Sequence, residues 1–217
     1  MIFLKSLKKI FDFFFPPDPL TRQLETITAT DLAALLKVKR TPTGVIALFS
    51  YRHPLIRRGI WEIKYRGNEK IAKIFARVLF EEMVAELIDL DPIGQTKPLI
   101  TIVPMTDARR RARGFNHLAM LVKNLPVETA NFFTLETALL KKVKNTPAQT
   151  SLKNRKERLR NPIGSFAVTA NKKTNLLAGA TVFVVDDVTT TGATLKEIRK
   201  VLRAEGVRQL LCFALAH

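Results

Sequence analysis

The feature that most constrains this chain is an apolar strand that ends in charge. Val182-Phe183-Val184-Val185 is a short, β-branched-rich run of the kind buried on both faces of a parallel sheet. Asp186 and Asp187 follow at its carboxyl end, the edge of an open α/β sheet where loops converge and ligands bind. Next come Thr189-Thr190-Thr191-Gly192-Ala193-Thr194, then Leu195 to Arg203, whose apolar positions recur at helical spacing. The threonine loop therefore opens a helix, and its unpaired N–H groups, partial positive charge and surrounding hydroxyls suit a phosphate. Gly192 lets the backbone approach an anion or take positive φ without a Cβ clash. Ionised Asp186 and Asp187 only accept hydrogen bonds, so they repel that phosphate but bind hydroxyl donors or a hydrated Mg²⁺. A ligand with a phosphate at one end and a diol or metal at the other fits both.

Other readings fit less well. An ATPase metal site would need a G-x-x-x-x-G-K-[ST] loop, which the chain lacks. A phospho-receiver pocket would place its acid pair on the first strand, and a purely structural strand-turn-helix needs neither adjacent acids nor threonines crowded around a glycine. Val182 to Thr194 resembles the signature for phosphoribosyl pyrophosphate (PRPP) in type I phosphoribosyltransferases. That resemblance implies Asp186 and Asp187 as ribose binders, with Mg²⁺ accompanying the ligand. It implies Thr190, Thr191, Gly192, Ala193 and Thr194 as the 5′-phosphate cradle. Thr190 departs from members that carry an acid two residues before the glycine as a candidate general base.

Leu99 to Val103 is a second apolar run, ending at Pro104 in a loop that includes Met105 and Thr106. Arg109, Arg110, Arg111 and Arg113 come directly after it, and their mutual repulsion calls for an anion such as pyrophosphate or a nucleic-acid backbone, unless they form a solvated basic turn. Met105, Thr106, Arg109, Arg111 and Arg113 are thus the pyrophosphate or polyanion candidates. His117 reads as a packing histidine, since no acid or nucleophile is spaced along the chain to serve it. Arg111 to Asn116, reading Arg-Ala-Arg-Gly-Phe-Asn, resembles the motif of the ComF family of competence-associated phosphoribosyltransferase-like proteins. Tyr51 to Leu55, Ile63 to Gly67 and Thr146 to Leu152 resemble further parts of that family, as do Arg155, Arg158, Asn161 and Phe166. Phe15-Pro16-Pro17 resembles the segment before its zinc finger, yet no cysteine follows from Asp18 onward in that region, so no zinc site is expected. His117 replaces the family's usual glutamine.

The implied fold is α/β, type I phosphoribosyltransferase-like, with a mostly parallel sheet and helices on both faces. With 217 residues and 47% hydrophobic composition, the chain suits one α/β domain with additions. We expect an N-terminal amphipathic helix and polar extension over 1–44 and the phosphoribosyltransferase-like domain over 45–217. Within the extension, Thr30 is the expected cap of a helix at Asp31 to Lys37. His53 to Tyr65 and Glu69 to Ile88 are helical in period, and Trp61 and Tyr65 share one face, where packing is the default reading. Residues 1–15 are too short and too charged to cross a bilayer and lack the pattern of a signal peptide; they dock on protein or on an anionic membrane surface.

The basic segment 141–160 reads as a mobile loop and helix, in which Lys144, Arg155 and Arg158 serve the reacting centre or DNA, or form a solvated basic helix. A single cysteine, Cys212, is consistent with a reducing cytoplasm. A net charge of +17, from 36 basic and 19 acidic residues, favours polyanionic partners. Two functions follow as expectations. One is an enzyme transferring phosphoribosyl from PRPP to an acceptor that the sequence does not identify. The other is a nucleic-acid-associated protein acting in DNA uptake or processing, directly or through a DNA-processing partner, with the PRPP site kept as a sensor or relic.

Overall fold

The computed structural model describes residues 18–144, 161–169 and 174–217. Its centre is a six-stranded sheet in the order β1-β2-β8-β7-β3-β4, comprising Lys39–Arg40, Val45–Phe49, Gln209–Ala216, Thr181–Val188, Leu99–Ile102 and Thr134–Leu135. Only the β1–β2 pairing is antiparallel; β2–β8, β8–β7, β7–β3 and β3–β4 are all parallel. The mostly parallel α/β architecture thus agrees with the sequence reading, and every residue of β2 and β3 is buried, as a sheet covered on both sides requires.

Alternation along β7 divides the core in two. Phe183 and Val185 join Ile46, Leu48, Ile100, Phe213 and Leu215 on one face, beneath α3 (Pro54–Trp61), α4 (Glu69–Leu90) and α6 (His117–Lys123). Val182 and Val184 lie on the other with Leu99, Cys212 and Ala214, beneath α9 (Ala193–Ala204) and a small ribbon. That ribbon pairs β5 (Leu140–Lys142) with β6 (Phe166–Val168) antiparallel and lies outside the main sheet.

The expected polar extension is packed structure from Asp18 onward. Asp18 caps α1 (Pro19–Thr26), and Thr28 with Asp31 forms a capping box on α2 (Ala29–Ala33), two residues ahead of the expected Thr30 cap. Leu24 and Leu32 are fully buried in the core, each stabilising by about 2 kcal/mol of apolar burial. Sparse apolar residues in a polar segment concealed these two anchors. Residues 1–15, Arg155 and Arg158 lie outside the described residues. Among those described, no helix is long and apolar enough to cross a membrane.

From β3 the chain leads to α5 (Asp107–Arg113), while from β7 it leads through α9 to β8 on the opposite side. The carboxyl ends of β3 and β7 therefore flank a topological switch point, the crevice at which open α/β sheets bind ligands.

Candidate functional site

Strand β7 carries both acids before it ends at Val188, and its period of two sends them to opposite faces of the sheet. Asp187, in step with Phe183 and Val185, is buried on the α3/α6 side. His117 Nε2–H donates to its Oδ2 at 2.8 Å, Lys64 Nζ forms an ion pair with the same oxygen, and its own Oδ1 accepts the Val188 N–H at 2.7 Å. Arg113 Nη1–H lies 3.3 Å from His117 Nδ1, which makes Nδ1 the acceptor and Nε2 the proton-bearing nitrogen. Burial pushes the Asp187 carboxyl up, but the His117 hydrogen bond and the Lys64 charge more than reverse this and hold it well below the usual carboxylate range. Burial lowers the Lys64 ammonium, but Asp187 outweighs it and the net shift is upward.

Asp186 is partly exposed on the other side, where its Oδ1 accepts the Asp187 N–H at 2.9 Å. Burial, reinforced by the Asp187 charge, pushes its carboxyl up to about 7. Its charge reaches Lys142 on β5, whose ammonium is lowered to about 8 by burial and by Arg109, with Asp186 opposing them. Lys142 was not singled out by sequence because it stands in a run of basic residues; only the ribbon's position turns it toward the acid.

The loop after β7 behaves as its composition implies. Gly192 takes φ +68°, and a Cβ there would lie 2.0 Å from Thr43 Oγ1. Gly192, at the cap position of α9, has no side chain with which to cap it, and Thr191 Oγ1 accepts the Ala193 N–H in a long 3.4 Å contact. Thr190 is exposed, Thr191 and Thr194 are partly exposed, and Ala193 is buried beneath them. The amino end of α9 and Asp186 thus lie on one face at the carboxyl end of β7. Thr43, from the loop before β2, adds a hydroxyl beside it that sequence reading assigned to the extension.

Across the crevice, the basic candidates separate. Thr106 spends its hydroxyl capping α5, accepting the Arg109 N–H at 3.3 Å, and Met105 is partly buried. Arg109 is partly buried and feels both Arg113 and Lys142, whereas Arg111 is exposed. Arg113 turns away from solvent to His117 and lies 5.0 Å over the Tyr65 ring. Lys144 is exposed beside Ile163, whose carbonyl accepts from its Nζ at 3.3 Å.

Two sequence readings change here. His117 does meet an acid, seventy residues away in the chain, because α6 and β7 bring it to Asp187. Trp61 and Tyr65 do pair, with ring centroids 5.7 Å apart, but they are exposed and flanked by Arg58, Arg66 and Arg113 rather than set in the core.

Asp186 and Asp187 do not fit a protein-held metal. Asp187 is taken up by Lys64, His117 and the Val188 N–H, which leaves Asp186 to face the ligand, and one carboxylate holds a divalent ion only together with oxygens that the ligand or water supplies. No group of three or more His, Cys, Asp or Glu suited to a metal occurs among the described residues.

The Phosphoribosyl transferase domain family matches residues 114–217, from the glycine after α5 to the end of β8 and its final residue. Over 172 residues the chain is 29% identical to Competence protein ComFC of Streptococcus pneumoniae, covering 78% of this chain and 66% of that protein. Over 163 residues it is 36% identical to Competence protein F of Haemophilus influenzae, covering 72% and 66%. The chain thus spans about two thirds of the length of each curated relative. Among solved structures it has a distant likeness to the L. donovani hypoxanthine-guanine phosphoribosyl transferase, 8% identical with a TM-score of 0.41, covering 67% of this chain and 71% of that one. With the family's domain over the acid strand, the threonine-glycine loop and the last strand, and the competence proteins matched across most of its length, the chain belongs to the ComF family of phosphoribosyltransferase-like proteins.

Proposed function

We propose that the crevice between β3 and β7 binds PRPP and supports transfer of its phosphoribosyl group to an acceptor. The observation that carries this is the joining of Asp186 to the amino end of α9 by one short loop. That loop spans a ribose with its 5′-phosphate: Asp186 accepts from the sugar hydroxyls, and the α9 N–H groups with Thr190, Thr191 and Thr194 donate to the phosphate. Arg109 and Lys142 lie on the Asp186 side, where their charges stabilise departing pyrophosphate. Mg²⁺ bound to the pyrophosphate would supply further charge neutralisation there. Calorimetric titration with PRPP and Mg²⁺ tests the reading. Binding by the wild type and its loss in Asp186→Asn supports it, and no binding by folded wild type overturns it.

A second reading, nucleic-acid binding in DNA uptake or processing, is favoured by the exposed Trp61–Tyr65 pair among arginines on a chain of net charge +17. Salt-dependent binding of single-stranded DNA that survives Asp186→Asn but is lost in a Trp61→Ala, Tyr65→Ala variant supports it.

A further inference from the structure

We infer that Lys64 is a resident cation of the acid pair, a positioning residue that lets the crevice take a ribose phosphate with no divalent ion bound to the carboxylates. The inference rests on the PRPP reading and deepens it.

Lys64 reaches this place through a local irregularity. Beyond Trp61, helix α3 widens into a π-helical turn, Glu62–Arg66, which closes at Gly67 with φ +60°. Such widened turns redirect side chains and occur often at functional sites. Glu62 holds the turn from within: buried, it accepts from Thr21 Oγ1 at 2.9 Å and Arg58 Nη2 at 2.7 Å. Trp61, Tyr65 and Arg66 face solvent, while Lys64 turns inward to Asp187.

The consequence is a charge count. Adjacent ionised carboxylates would oppose a ligand that carries phosphate, and such a pair ordinarily needs an external cation. Here the Lys64 ammonium cancels Asp187 within direct contact, and His117 adds a hydrogen bond to the same oxygen. Arg113 holds the His117 ring from behind. Asp187 is consumed as an anchor, and Asp186 is left facing the crevice with the formal charge of the acid–lysine trio reduced to a single negative.

Ribose 5-phosphate is the discriminating probe, because it keeps the diol and 5′-phosphate but lacks the pyrophosphate that brings Mg²⁺. Calorimetry would compare wild type, Lys64→Met and Lys64→Arg, each in EDTA and in Mg²⁺, with melting curves to confirm folding. The wild type is expected to bind equally well in both conditions. Lys64→Met is expected to weaken binding in EDTA by about tenfold, from the loss of a close charge at intermediate dielectric, and to recover in part with Mg²⁺. Lys64→Arg, which keeps the charge, is expected to rescue binding to within about threefold of wild type. Strong Mg²⁺ dependence of the wild type would overturn the inference whether or not the variants fold, as would folded Lys64→Met binding like wild type. PRPP binding that persists while the Lys64 inference fails leaves the proposed function standing. Failure of the wild type to bind either ligand overturns both.

Discussion

Asp186 and Asp187 are neighbours in the chain and opposites in the structure. One is partly exposed, held up to about 7, and shares its face of the sheet with Lys142 and α9. The other is buried, held low, and bound on three sides by Lys64, His117 and the Val188 N–H. The difference teaches that a pair of acids at a strand end is not one functional unit. Alternation gives the two residues different neighbours, which tie Asp187 into the structure and leave Asp186 partly exposed.

The largest effect that would sharpen this contrast is on stability. Asp187→Ala leaves Lys64 and His117 facing each other without their acceptor and is expected to cost about 3 kcal/mol of unfolding free energy, read by chemical denaturation. Asp186→Asn is expected to raise rather than lower stability at neutral pH, since it removes a carboxylate that burial disfavours, yet to reduce PRPP affinity at least about tenfold in calorimetry. Equal destabilisation by the two variants would break the comparison.

Acid and base should separate them again. The native state holds a proton on Asp186 that the unfolded chain releases, so this residue makes stability fall as pH rises from its ordinary 3.8 to about 7. Asp187 has the reverse sign: its contribution is present above the ordinary carboxylate value of 3.8 and is lost as pH drops below it. Denaturation midpoints measured across pH should show the first slope abolished in Asp186→Asn and the second in Asp187→Asn. The smallest effect is expected from Lys142→Ala, which should weaken pyrophosphate binding by about fivefold without lowering the melting temperature, since a single partly screened charge is removed. An unchanged pyrophosphate affinity would remove Lys142 from the Asp186 side of the site.

Much of this was legible in sequence wherever the signal is local. The apolar run before two acids fixed β7, the threonine-glycine loop marked the opening of α9, and the helical periods over His53 to Tyr65 and Glu69 to Ile88 marked two helices. What depends on distant pairing was not legible. His117 and Asp187 meet only because α6 packs under β7, and no spacing along the chain encodes that. Lys64 was hidden for a different reason, since a regular helical period offers no sign of a π turn. Likewise Lys142 depends on a two-stranded ribbon set apart from the main sheet.

The ends of the strand order carry a consequence for association. Both outermost strands are two residues long, and Lys39–Arg40 places two exposed cations along one rim while Thr134–Leu135 barely extends the other. A parallel sheet with long bare rims would offer unpaired backbone to any neighbouring strand. Here there is too little ladder for a foreign strand to follow, and the exposed Lys39 ammonium further blunts that rim, Arg40 being paired with Glu86. The interior can therefore be made of unbroken apolar strands without the molecule becoming a template for its own fibres.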